Sequence, residues 1–193
     1  MIILASNSPR RRELLKMIVP DFKIASGKDV DEIYPAGLAP ELVPEYLSRL
    51  KASAYICDLQ PDDVLITADT VVILDGKILG KPHSRQEAIE MLESMQGRTH
   101  IVVTGVTVSF ADGRSESLSQ HTEVDFDALS HAEIEYYVDN YRPYDKAGAY
   151  GIQEWIGAAA IIGIRGSFYN VMGLPVHALY VMLKDAGVNI AGK

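Results

Sequence analysis

The sequence predicts an α/β domain, a mixed central sheet flanked by helices, and two observations carry that prediction. Short apolar runs alternate with stretches of helical periodicity along the whole chain, with no internal repeat, low-complexity tract or linker. Two of the strand runs are followed by Asp-Gly, at Asp75-Gly76 and Asp112-Gly113, which is hairpin chemistry. Hairpins pair strands antiparallel and strand–helix units pair them parallel, so both together imply a mixed sheet. With 193 residues, 48% hydrophobic and 23% charged, the expectation is one domain over 1–193.

Ile2 to Ala5 is a short apolar run, and Ser6-Asn7-Ser8-Pro9 stops it. Ser8 then stands where an N-cap belongs, Pro9 at the first helical position, and Leu14, Leu15 and Ile18 follow at helical spacing. A second helix is expected over about 41–57, since Val43, Leu47, Leu50, Ala54 and Cys57 fall on one stripe with Lys51 at its edge. Val64 to Leu74 is almost continuously apolar, which suits a strand covered on both faces, and Asp75-Gly76 leads it into Ile78-Leu79. Ser84 and Glu87 form a capping box for a helix over 84–96, with Ala88, Leu92 and Met95 on its buried face and Gly97 beyond its end. Strands are expected over 100–110 and 117–126, then a helix from Ser130, capped with Glu133, to about Tyr141. A glycine-rich stretch over 145–151, a strand over about 158–164 and a helix over about 175–186 complete the chain.

Composition excludes several function classes. With 18 Lys+Arg against 26 Asp+Glu the net charge is -8, so the surface as a whole repels nucleic acid and anionic membrane, and any bound anion needs a local basic patch. One cysteine, Cys57, excludes an intramolecular disulfide framework and fits a reducing compartment. No apolar run approaches the ~20 residues of a membrane span, and Arg10 to Arg12 after a short apolar start have the wrong order for a signal peptide. A cytoplasmic protein is expected.

Arg10, Arg11 and Arg12 occupy the first turn of the first helix, where the helix dipole opposes cations by roughly 0.3–1 kcal/mol each. A bound phosphate would reverse that sign, because free backbone N–H groups, the Ser6 and Ser8 hydroxyls and the guanidinium forks would all face it. The alternative is a set of solvated surface arginines. Neither the P-loop pattern nor the dinucleotide glycine fingerprint is present.

Asp69 interrupts the apolar run Val64–Leu74, and burying a carboxylate there is unfavourable unless it has a partner. It suits a general base, a magnesium ligand, or a residue that ends a strand and caps a turn. Thr70 beside it offers a hydroxyl. Lys81, between Gly80 and Pro82, and Lys51 are isolated lysines, and Glu32 lies in a polar loop. Surface charge is the plain alternative for all three. In the segment from Asp145 and Lys146 to Gln153, small residues allow tight turns beside a ligand, and the Gln153 amide offers both a donor and an acceptor to a base edge. The five histidines show no metal spacing, and His100 reads as structural.

Taken together these segments resemble the Maf family of nucleotide pyrophosphatases. The resemblance runs through Leu4-Ala5-Ser6-Asn7-Ser8-Pro9-Arg10-Arg11, Ala68-Asp69-Thr70-Val71-Val72 and Gly80-Lys81-Pro82, then Gly97-Arg98-Thr99-His100 and Thr104-Gly105-Val106, to the Asp145–Gln153 segment and Gly166–Pro175. It implies a Maf/ITPase-like fold, often dimeric, and hydrolysis of a nucleoside triphosphate to the monophosphate and pyrophosphate with a divalent cation, Mg or Mn. By resemblance Asp69 is the catalytic proton acceptor, with Lys51 and Lys81 as further catalytic charges. Ser6, Ser8, Arg10, Arg11, Thr70, Lys146 and Gln153 are then substrate-binding residues, and Asp69 and Glu32 hold the metal. Arg10, Thr70 and Gln153 match positions tied to dTTP and UTP preference, and the Tyr-Gly-Ile-Gln ending at 150–153 is similar to that branch. Thr67 stands where the family usually has Gly. The competing functions are a pyrophosphatase for another modified nucleotide and a non-catalytic nucleotide-binding regulator of septum formation.

Overall fold

In the computed structural model, which describes residues 1–190, strand β1, Ile2–Leu4, leads through Ser6 and Ser8 into helix α1, Pro9–Lys16. Ser8 is the N-cap: its Oγ accepts the Arg11 N–H at 3.4 Å, and Pro9 needs no partner at the first position. The chain continues through β2 (Lys23–Ile24), α2 (Val43–Ser53), β3 (Val64–Leu74), β4 (Lys77–Leu79) and α3 (Arg85–Met95). It then forms β5 (Thr99–Phe110), β6 (Ser115–Phe126), α4 (His131–Tyr141), α5 (Trp155–Ala159), β7 (Ile161–Arg165), α6 (Phe168–Met172) and α7 (Val176–Asp185).

The seven strands make one mixed sheet in the order β2-β1-β3-β5-β6-β7, with β4 added to β3. β1 runs parallel to β2 and to β3, with Ile2 opposite Val64 and Leu4 opposite Ile66. β4 is antiparallel to β3 and β7 antiparallel to β6. The β5–β6 hairpin closes where the Phe110 N–H donates to the Arg114 carbonyl at 2.9 Å, and Thr107–Ser117 and Ser109–Ser115 hydroxyl pairs continue its register.

The chain divides into two compact units. The first comprises Met1–Asp69, Thr104–Gln120 and Gly173–Lys193. Here α2 is bonded to the strands by side chains as well as apolar contact. Ser48 is fully buried; its Oγ pairs with Thr107 Oγ1 at 2.7 Å, and its carbonyl accepts the Thr67 hydroxyl at 2.7 Å. Gly105 lets the start of α2 come close: a Cβ there would lie 2.2 Å from the Glu45 nitrogen and 2.4 Å from the Pro44 oxygen. The second unit comprises Thr70–Val103 and His121–Met172. Ala88, Leu92 and Met95 of α3 and Ile134, Tyr137 and Val138 of α4 share its core with Val72, Val102, Phe126 and Ile156.

The expected elements form, with differences that have physical causes. α2 stops at Ser53, and Cys57 falls in a separate 3-10 turn, Ile56–Asp58, where it is exposed. The buried stripe of the helix is Val43, Pro44, Leu47, Ser48 and Ala52, so an apparent continuation of its spacing ran across a break in the backbone. The strand expected over 158–164 is Ile161–Arg165, because Ala158 and Ala159 finish α5 instead. Short apolar runs do not distinguish buried helix from strand. β2, α5 and α6 have two to five residues each, too few to show a period.

Gly105→Ala is expected to destabilise the protein by about 1–3 kcal/mol, since the methyl group meets helix backbone rather than a movable side chain. A denaturation midpoint equal to that of the native protein would show that α2 can withdraw without loss.

Candidate active site

Two groups of the expected residues are held together, one in each unit. The first is built on α1, α2 and β3. Lys51 extends from the last turn of α2, and its Nζ lies 2.6 Å from Asp69 Oδ1 and 3.0 Å from Glu32 Oε1. Asp69, near the middle of β3, is 8% exposed, and Oδ2 has no hydrogen bond among the described residues. Lys51 thus answers the question of how β3 keeps a carboxylate in its apolar run: an ammonium and an open edge supply the charge and solvation that burial removes.

Arg11 borders this trio. Its Nη1 donates to the Ala68 carbonyl at 2.9 Å and its Nε to the Gly173 carbonyl at 2.8 Å. Burial draws the guanidinium below its ordinary pKa, against the opposing pull of Asp69. A guanidinium titrates so high that it stays charged. Arg11 is therefore not one of the solvated surface arginines: carbonyl oxygens offset its unfavourable place at a helix start. Ser6 Oγ accepts the Ser8 N–H at 3.2 Å, and Ser8 Oγ accepts that of Arg11. Both hydroxyls order the turn while keeping a hydrogen to donate. Arg10 is half-buried in the same helical turn.

The second group lies in the other unit, on the loops after β4 and α4, with Thr70 in β3. Lys81 is exposed, and Thr70, the residue after Asp69, is half-buried. The Gly148 N–H donates to the Gly80 carbonyl at 3.0 Å, tying the glycine-rich segment to the Lys81 loop. Within that segment Lys146 is 7% exposed, its Nζ 2.8 Å from Asp145 Oδ1 and 3.1 Å from Glu154 Oε1. Gln153 is exposed at its end. Tyr137 of α4 donates its hydroxyl to Glu154 Oε2 and accepts the Gly151 N–H at 3.0 Å. Sequence reasoning missed Glu154 and Tyr137, since an acid after Gln153 and an aromatic on a helix carry no pattern of their own. The Thr67 hydroxyl, too, has a partner that its place in an apolar run does not announce, the Ser48 carbonyl of α2.

Among the described residues, no three His, Cys, Asp or Glu side chains are grouped to enclose a metal ion. Magnesium and manganese do not need such a cage when phosphate oxygens complete the shell. Asp69 and Glu32 both reach Lys51 Nζ, so the point between their carboxylates is filled by an ammonium, and a hard divalent ion would need the oxygens that Lys51 leaves open.

The family described as Maf-like protein matches residues 1–186. A protein named dTTP/UTP pyrophosphatase from Bacteroides thetaiotaomicron is 55% identical over 183 residues, 95% of this chain and 94% of that one. A protein of the same name from Porphyromonas gingivalis is 56% identical over 188 residues, 96% of this chain and 94% of its own. Among solved structures, the Staphylococcus aureus Ham1 protein has a TM-score of 0.48 at 21% identity, covering 65% of this chain and 71% of its own.

His100 has the structural place its position in an apolar strand suggests. It is 1% exposed, with Nε2 2.7 Å from the Tyr150 hydroxyl and its ring edge-on to Phe126 and Tyr150. Burial pushes its pKa from 6.5 down to about 4, with a weaker opposing pull from Asp125. Between those values the unfolded chain binds a proton that the folded one refuses, so stability falls as pH drops from 6.5 to 4, by up to about 3 kcal/mol. A His100→Gln variant is expected to lose that slope in denaturation measured from pH 7 to pH 4. An unchanged slope would assign it to another group.

Proposed function

The chain belongs to the Maf family, and from that premise we infer that it is a nucleoside triphosphate pyrophosphatase hydrolysing dTTP and UTP to the monophosphate and pyrophosphate. The observation that carries the chemistry is the buried Asp69 carboxylate with one oxygen held by Lys51 and the other open. A carboxylate so oriented accepts a proton from water as the water oxygen attacks the α-phosphorus. The bond from that phosphorus to the bridging oxygen breaks, and pyrophosphate leaves with the electron pair. Lys51, Lys81, Arg10 and Arg11 offset the charge that develops on the phosphates and on the leaving group. The Ser6, Ser8 and Thr70 hydroxyls donate to phosphate oxygens. Arg11 does so from a fixed place, because its carbonyl partners already set its orientation. Lys146, paired with two carboxylates, serves the substrate by ordering the loop that carries Gln153.

Asp69 and Glu32 would hold a Mg or Mn ion, which when bound supplies positive charge to the triphosphate. We place the enzyme in the cytoplasm as one catalytic domain over 1–193, acting on free nucleotides rather than nucleic acid or membrane. The charge of -8, which repels polyanions, supports the choice of free nucleotides over nucleic acid and anionic membrane. A homodimer is the assembly the family resemblance implies. The Asp69 oxygen that Lys51 leaves open favours catalysis over the regulator alternative, because it can take a proton from water.

Asp69→Asn should lower turnover on UTP by at least about 100-fold while the thermal midpoint stays near native, because the amide cannot take the proton. Near-native turnover would move the base to Glu32. Base selection gives a second outcome. Uracil and thymine present two carbonyls flanking an N–H, and the Gln153 amide can pair with one carbonyl and that N–H together. Cytosine leaves those groups mismatched at about 1–3 kcal/mol each. Catalytic efficiency should therefore fall in the order UTP and dTTP, then CTP, and Gln153→Ala should flatten it. Equal rates on UTP and CTP in the native enzyme would remove Gln153 as the reader.

A further inference from the structure

Glu154 is the backbone N-cap of α5, yet its side chain makes no capping bond. The carboxylate is instead taken at both oxygens: Oε1 by the buried Lys146 ammonium at 3.1 Å and Oε2 by the Tyr137 hydroxyl. Tyr137 cannot easily yield, being fully buried and stacked on Tyr141 at 5.1 Å and on Trp155 at 6.5 Å. Its hydroxyl also accepts the Gly151 N–H, and the Glu154 N–H returns to the Gly151 carbonyl at 3.0 Å. The short loop is thus fixed at both ends by one carboxylate. Gly151 supplies an independent observation. A Cβ there would lie 2.9 Å from Gln153 Nε2 and 2.9 Å from Glu154 Cδ, so the Gln153 amide rests over bare backbone beside the Glu154 carboxylate.

We propose that Glu154 is the positioning residue for base selection: clamped between Lys146 and Tyr137, it holds the loop so that the Gln153 amide keeps one orientation over Gly151. It touches no substrate itself. Geometric selection demands this, because a side-chain amide discriminates uracil from cytosine only while its donor and acceptor ends are fixed. An amide free to turn over offers either base a partner. The inference rests on Gln153 as the reader.

The test compares kcat/KM on UTP and CTP for the native enzyme, Gln153→Ala, Glu154→Gln and Gly151→Ala. The ratio is taken on one preparation, so partial unfolding cancels. Glu154→Gln loses the charge that holds Lys146, whereas Gly151→Ala keeps every charge and crowds the Gln153 amide and the Glu154 carboxylate with a methyl group. Each should lower the UTP-to-CTP ratio at least tenfold, mainly through a gain on CTP and a higher KM for UTP, with kcat on UTP within about threefold of native. Combining Glu154→Gln with Gln153→Ala should lower the ratio no further than Gln153→Ala alone. A native ratio in both Glu154→Gln and Gly151→Ala, when Gln153→Ala collapses it, overturns the positioning role alone. A native ratio in Gln153→Ala overturns the reader and the positioning role with it. If Glu154→Gln does not fold, Gly151→Ala decides by the same ratio.

Discussion

The close approach of α2 to the strands is the constraint on which the ion-paired trio of Lys51, Asp69 and Glu32 depends. A lysine on a helix reaches a carboxylate in a neighbouring strand at 2.6 Å only if the two backbones are held in register. Three features hold them. Gly105 removes the Cβ that would strike Pro44 and Glu45, Ser48 and Thr107 share a hydrogen bond in the interior, and Thr67 donates to the Ser48 carbonyl. Ser48 precedes Lys51 by less than one helical turn, and Thr67 precedes Asp69 by one side-chain alternation in β3, so the polar tie and the ion pair share one stretch of interface. Apolar packing alone would let the helix slide, since it is non-directional. Directional bonds to buried hydroxyls fix the place.

That arrangement bears on the departure at Thr67. Where the family resemblance leads one to expect Gly, this chain carries a hydroxyl that is fully buried and bonded. A buried hydroxyl without a partner is costly, and a residue larger than Gly needs room. Both conditions are met because the Ser48 carbonyl faces it. Thr67 thus adds a bond between strand and helix rather than merely occupying space.

Most of the fold was legible because its large elements announce themselves through periodicity and caps. β3 forms over Val64–Leu74 as read, and Ser84 and Ser130 cap α3 and α4 through the Glu87 and Glu133 N–H groups. The losses fall where local signals are short or misleading. β2 is a strand of two exposed residues, existing only because Ile3 and Leu4 offer it a partner. Individual site residues were legible by their oddity, an acid in an apolar run or cations at a helix start, but their partners were not. Nothing in the spacing of Lys51 and Asp69 states that they meet, and Arg11 finds its acceptors 57 and 162 residues away.

The two groups of site residues obey different physical rules. In the first unit, charge is concentrated against the sign of the molecule: arginines and a lysine accumulate in a protein of net charge -8. On the proposed reading, their attraction for a polyphosphate reaches any nucleotide, so this group would supply affinity and chemistry, with Arg10 alone among them at a position the family resemblance ties to base preference. In the second, the basic Lys146 is already matched by Asp145 and Glu154, and what remains exposed is a neutral amide. Neutral hydrogen-bonding groups are weak attractors but good discriminators, because a mismatched donor or acceptor is penalised while a matched one gains little over water. Such discrimination requires rigidity more than strength. On the proposed reading, that is why a buried ammonium, a tyrosine hydroxyl and a carboxylate are committed to a loop of nine residues that offers the base one amide.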